Sequence, residues 1–166
     1  MIARWLRSKK WNVLPVYEKE IQSEDRKGPA LYQASGPSLV APDMLIFQNA
    51  GKIRWVEAKR KSAFSWHRNT KAWVTGINQR HYEDYLRVAS ISGLPLWLLF
   101  LQENGTAKDT PDGLTSPTGL YGNPINLLVS CEHHRANSRP GNVPMVYWSE
   151  QNLRKLACLV ELADCA

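Results

Sequence analysis

Residues 42–59 read PDMLIFQNAGKIRWVEAK. Two apolar runs, DMLIF at 43–47 and KIRWVEAK at 52–59, flank QNAG, a pattern that predicts a β-hairpin with a four-residue, Gly-containing connection. Pro42 stands just ahead of the first strand, where its missing N–H costs no ladder hydrogen bond. Side chains alternate between the faces of a strand, so Ile53, Trp55, Glu57 and Lys59 share one side, with Glu57 and Lys59 adjacent on it. Asp43 opens the preceding strand at the level that such a connection brings near Glu57 and Lys59. Two carboxylates and an ammonium thus converge at one end of the hairpin.

Working outward, the apolar period changes to that of a helix from Ile77 onward. Tyr82, Tyr85, Leu86 and Ala89 share a face, Arg80, Glu83, Asp84 and Arg87 are left for solvent, and Gly93 and Pro95 end the element. LWLLFL at 96–101 is apolar at every position, as in a strand buried on both faces of a mixed or parallel sheet. Upstream, Ile2, Trp5 and Leu6 have the i, i+3, i+4 spacing of a short amphipathic helix over residues 1–10. VLPVYEKEI at 13–21 reads as a strand that Pro15 confines to an edge or a bulge. Residues 24–41 read as a long loop, residues 60–76 as a basic, aromatic connection, and residues 102–142 as an irregular insertion around one short strand, LLVS. PMVYW at 144–148 is the last strand, and Ser149 and Glu150 suit the N-cap and first turn of a C-terminal helix. The order describes one α/β domain over residues 1–166.

The 166 residues match the size of one domain, and a hydrophobic content of 43% excludes disorder over most of the chain. No secretory h-region is present, and the longest apolar run, Leu94 to Leu101, falls far short of the ~20 residues that span a bilayer. Three cysteines at wide spacing, Cys131, Cys158 and Cys165, fit reduced thiols. A soluble, cytoplasmic protein without membrane contact is therefore expected. The net charge is +6, and residues 52–80 concentrate it, with eight Lys and Arg against one Glu. Such a stretch calls for an anionic partner. No P-loop, G-x-S-x-G or G-x-G-x-x-G occurs, so nucleotide-driven and serine-hydrolase chemistry has no support.

Adjacent carboxylates repel unless a cation sits between them, and hard oxygen ligands suit Mg²⁺ or Mn²⁺. A nearby lysine can orient a water and stabilise charge building on a phosphate. An E-x-K pair is most often a surface ion pair worth under ~1 kcal/mol. Here Trp55 and Ile53 on the same face argue for burial, and the next segment is basic. Arg60, Lys61, Arg68, Lys71 and Arg80 surround Phe64, Trp66, His67 and Trp73. The cations can neutralise phosphates; the aromatics can stack on bases or equally pack in the core. Cys131, His133 and His134 lack the paired spacing of a structural zinc site. His67 and His81 are candidate proton shuttles, although hydrogen-bonded surface histidines are the commoner case.

Pro42-Asp43, then Glu57-Ala58-Lys59 fourteen residues on, then a helix beginning near Gln79, resembles the PD-(D/E)XK phosphodiesterase superfamily over about residues 1–101. Within it the chain looks most similar to VRR-NUC nucleases and Holliday-junction resolvases. The resemblance implies a restriction-endonuclease-like core, a central mixed β-sheet flanked by helices. It implies that Asp43, Glu57 and the Ala58 carbonyl ligate Mg²⁺ or Mn²⁺, that Lys59 positions the attacking water, and that Gln79 supports the site. Many members carry a further acid on the first helix, which has none here. Glu18 and Glu20 lie just beyond it, Glu20 being the favoured candidate, and without either a one-ion mechanism follows. The implied activity is endonucleolytic hydrolysis of phosphodiester bonds in DNA, with Arg60, Lys61, Arg68, Lys71, Arg80, Trp66 and Trp73 as DNA contacts. A resolvase-like role would require a symmetric homodimer. The alternatives are a non-catalytic nucleic-acid-binding module on the same fold and a structural protein with a plain ion pair.

Overall fold

The computed structural model describes residues 1–16, 29–49, 51–107, 109–137 and 143–165. Helix α1 (Ile2–Ser8) buries Ile2, Trp5 and Leu6, as their spacing requires. Strand β1 (Asn12–Pro15) follows, then the short pair β2 (Ala30–Leu31) and β3 (Leu39–Val40). The hairpin β4 (Met44–Gln48) and β5 (Lys52–Lys61) is next, then a second hairpin, β6 (Ser65–His67) and β7 (Ala72–Asn78). Helix α2 (Gln79–Ser92) leads into β8 (Leu96–Gln102), β9 (Gly119–Pro124) and helix α3 (Ile125–Ser130). The chain continues through β10 (His134–Ala136), β11 (Met145–Ser149), a 3-10 turn at Glu150–Asn152, β12 (Arg154–Ala157) and helix α4 (Leu159–Asp164).

The fold is α/β, with a central mixed sheet flanked by helices. Its strand order is β1-β4-β5-β8-β9-β12, with β5 and β8 parallel and the other neighbours antiparallel. One core cluster joins Leu96, Leu98 and Phe100 of β8 to α2, α3, Val146 and Trp148. The other joins Leu99 and Leu101 to α1 and α4 through Val56 and Ile46. The expected two-sided burial of LWLLFL is thus observed, and burying Leu98 or Phe100 stabilises the fold by about 2 kcal/mol each. A smaller antiparallel sheet, β10-β11-β7-β6, supplies Ile77, Val146 and Trp148 to the first cluster.

Pro15 lies on β1, an edge strand opposite Met44, as expected. The β4–β5 register pairs Gln48 with Lys52, which leaves a connection of residues 49–51, one shorter than expected, with Gly51 at φ 76. β7 runs directly into α2, where the Asn78 side chain accepts from the Arg80 N–H at 2.8 Å, and Gly93 at φ 65 closes the helix.

Four expected elements differ, the first being the loop expected over residues 24–41, whose described part pairs β2 with β3. Residues 60–76 are not a connection: they complete β5 and build the β6–β7 hairpin, whose alternation is masked in the sequence by flanking cations. LLVS is not a strand but the body of α3, which buries Ile125 and Leu128 at i, i+3. Ser149 starts only the 3-10 turn, with no side-chain cap; the terminal helix α4 is capped by Cys158 and Glu161 instead. Strand β9 also lies within 102–142, in Gly- and Pro-rich sequence. Its Gly122 is required there, because a Cβ would stand 2.4 Å from the Leu98 carbonyl oxygen.

Candidate active site

The site sits where β4 begins and β5 is still running. The Trp55 N–H points towards β8, donating to the Pro95 carbonyl at 2.9 Å, so the backbone groups of Val56 and Ala58 point towards β4. Continuing the register one step past Met44 and Val56 sets Asp43 beside Glu57, and a second step sets Pro42 opposite Ala58. Proline has no N–H, so the ladder stops and the Ala58 carbonyl receives no donor from its partner. The Asp43 carboxylate takes over, its Oδ2 accepting from the Ala58 N–H at 2.9 Å. In return the Asp43 N–H donates to Glu57 Oε2 at 3.1 Å. The Pro-Asp pair therefore ends the strand and fixes both carboxylates against each other.

Glu57 and Lys59 project towards α2, since Val56 and Ala58 pack with the opposite cluster. Glu57 is 1% exposed, and Lys59, 28% exposed, forms an ion pair with its Oε1. Burial pushes the Glu57 carboxyl above its ordinary range; Lys59 pulls it down and the Asp43 charge pushes it up again. Helix α2 covers the pair with Tyr85, whose hydroxyl faces Glu57 and whose ring lies 5.9 Å from Lys59 Nζ. The Tyr85 hydroxyl is held well above its ordinary range by burial and then by the Glu57 charge, so it remains protonated. His81, one turn earlier, is pushed below its usual value by burial and then by the Lys59 charge, which places a neutral imidazole at the rim. Lys61 is likewise lowered by burial and by Lys59.

The other residues singled out in the sequence are distributed as follows. The Gln79 amide donates to Glu83 Oε1 at 2.8 Å, and among the described residues it bonds to none of Asp43, Glu57 and Lys59. Arg60 projects to the opposite face and pairs with Glu103 at 2.7 Å. Arg68 and Lys71 are exposed in the β6–β7 turn and Arg80 is exposed on α2. Trp66 and Trp73 face each other in register and meet edge to face at 4.9 Å. Phe64 is a core residue, edge-on to Tyr121 at 5.1 Å. Glu18 and Glu20 lie outside the described residues. The His67 and His134 rings lie 4.5 Å apart, tilted by 30°, and Thr70 bridges His67 to His133, a grouping hidden by the long stretch of sequence between them. Tyr85 carries no site role in the sequence expectations, and His81 stands there as a candidate proton shuttle beside His67. Their i, i+4 spacing on the packed side of α2 was the available signal.

The donors present are hard oxygens: two carboxylates and a backbone carbonyl without a ladder partner. They fit Mg²⁺ or Mn²⁺, and a cation would relieve the repulsion between Asp43 and Glu57. Among the described residues no three His, Cys, Asp or Glu side chains form a metal-holding group, so a cation here would complete its shell with the carbonyl and water.

No protein-family model matches the chain, and no curated protein matches it. Among solved structures it is similar to Hjc, a Holliday junction resolvase from the archaeal hyperthermophile Archaeoglobus fulgidus. The two are 9% identical, the match covers 91% of this chain and 84% of that one, and the TM-score is 0.48. Among the described residues no helix is long and apolar enough to cross a membrane.

Proposed function

We propose that the chain is a metal-dependent nuclease of the PD-(D/E)XK type, hydrolysing phosphodiester bonds in DNA. The observation that carries this reading is a pair of carboxylates, buried Glu57 and half-buried Asp43, each held by the other residue's strand backbone, with a lysine on Glu57. A surface ion pair needs none of this, and burying Glu57 beside a second anion opposes folding. Such a cost is characteristic of sites that bind or react.

Asp43, Glu57 and the Ala58 carbonyl would hold Mg²⁺ or Mn²⁺. Bound there, the ion supplies Lewis acidity towards a phosphoryl oxygen and favours ionisation of water. Lys59, between buried Glu57 and the open rim, orients the attacking water and stabilises charge on the phosphate. Tyr85 faces Glu57 and keeps its oxygens directed at the strand end. The exposed Arg68, Lys71 and Arg80 supply phosphate contacts, whereas Arg60 must leave Glu103 to join them and the Trp66–Trp73 pair reads first as hairpin packing. Two-strand cleavage would require a symmetric homodimer.

The test is incubation of purified protein with plasmid, single-stranded and branched DNA in Mg²⁺, Mn²⁺ or EDTA, beside Asp43→Ala and Lys59→Ala. Metal-dependent cleavage, lost in both variants, is expected. Inertness of the wild type on every substrate, with DNA binding retained, would leave the binding-module reading instead.

A further inference from the structure

We propose a second binding site, for a small aromatic monocarboxylate, on the back of the central sheet. A cavity of about 130 Å³ opens there, walled by Trp5, Trp11, Ile46, Arg54, Val56 and Trp97. Ile46 and Val56 belong to the cluster beneath α1, so this cavity and Glu57 lie on opposite faces of β5 and share no side chain.

Size and shape select one ring. Apolar cavities of ~150 Å³ admit a benzene molecule, so this one accommodates a single six-membered ring and little more. Three indoles in the wall favour an aromatic guest through offset and edge contacts. Polarity selects an anion. The Arg54 guanidinium lies 4.9 Å from the Trp11 ring and 5.9 Å from the Trp97 ring. Those stacking contacts hold its plane but use none of its N–H groups. Among the described residues the Arg54 side chain has no hydrogen bond and no ion pair. The charged side chain at the cavity is therefore a donor only and permanently positive, and a carboxylate pairs with it. A ring without charge leaves the Arg54 guanidinium unpaired, and a carboxylate without a ring leaves the apolar wall empty.

The experiment is titration of the whole chain with sodium benzoate at constant ionic strength, followed by indole N–H resonances and tryptophan fluorescence. Acetate and toluene serve as parallel titrants. Saturable one-to-one benzoate binding is expected, moving the Trp5 Nε1–H signal, which is identified by its loss in Trp5→Phe. Arg54→Met keeps the aliphatic stem, and it should weaken benzoate by about tenfold or more while leaving toluene unchanged. Absence of saturable benzoate binding overturns the proposal. So does acetate binding as tightly as benzoate, or benzoate binding that is indifferent to Arg54→Met in a variant whose spectrum shows it folded. None of these outcomes bears on the nuclease reading.

Discussion

Replacing Lys59 with Met tests whether Glu57 is held as a buried charge. The ion pair is the main influence that lowers the Glu57 carboxyl, opposing burial and Asp43, so its loss moves that carboxyl further upward. Removing one partner of a fully buried pair typically costs 3–5 kcal/mol. Lys59 is 28% exposed and its own charge is partly solvated, so about 2 kcal/mol is the better expectation here. For a chain of this length that corresponds to a fall in Tm of roughly 4–8 °C. The sign with pH is fixed by linkage. A carboxyl raised on folding makes the native state bind the proton more tightly than the unfolded chain does. Its favourable contribution is complete below the ordinary carboxylate range and is lost as pH rises through the raised value. Lys59→Met widens that window, so the deficit against wild type should be small at pH 4.5 and full at pH 8. Urea unfolding of both proteins across this range reads it directly, and Glu57→Gln/Lys59→Met should recover part of the loss because no charge then remains buried. A deficit that is independent of pH, or a double variant less stable than Lys59→Met alone, would refute the reasoning.

Asp43→Asn keeps an acceptor for the Ala58 N–H and removes a negative charge, so the Glu57 carboxyl should fall towards its ordinary value with stability little changed. Millimolar Mg²⁺ or Mn²⁺ should raise the Tm of wild type but not of this variant, as differential scanning fluorimetry can show. Tyr85→Phe deletes the hydroxyl that faces Glu57. The expected cost is about 1 kcal/mol in urea unfolding, together with slower cleavage in a plasmid assay. Gly122→Ala introduces a Cβ that would meet the Leu98 carbonyl oxygen at 2.4 Å, a backbone atom that cannot swing aside. Loss of Tm and of amide protection in β8 and β9 should follow, read by hydrogen exchange.

What could be read from the sequence, and what could not, follows the range of the forces involved. Glu57 and Lys59 were legible because strand alternation is a local rule, and Asp43 because a hairpin turns sequence distance into register within a few residues. LWLLFL was legible because burial on both faces leaves no polar position to interpret. Strand β9 escaped because its two glycines, which normally mark loops, serve close approaches: Gly122 to Leu98, and Gly119 to the Ala157 carbonyl oxygen at 2.5 Å from a would-be Cβ. Those reasons exist only once β8 and β12 are in place. The β6–β7 hairpin was hidden because its turn carries Arg68 and Lys71 while its packing pair, Trp66 and Trp73, is recognised only across the register. Gln79 shows the limit most clearly. Its spacing from Tyr82 and Leu86 placed it on the covered side of α2, yet at the first turn the helix is only beginning to meet the sheet, and its amide is used by Glu83. The contacts from α2 to Glu57 and Lys59 fall more than a turn further along, at Tyr85. Which turn of a helix meets which residue of a strand is decided by the packing of Tyr82 and Tyr85 against β8 and β11, and no periodicity within α2 contains that information.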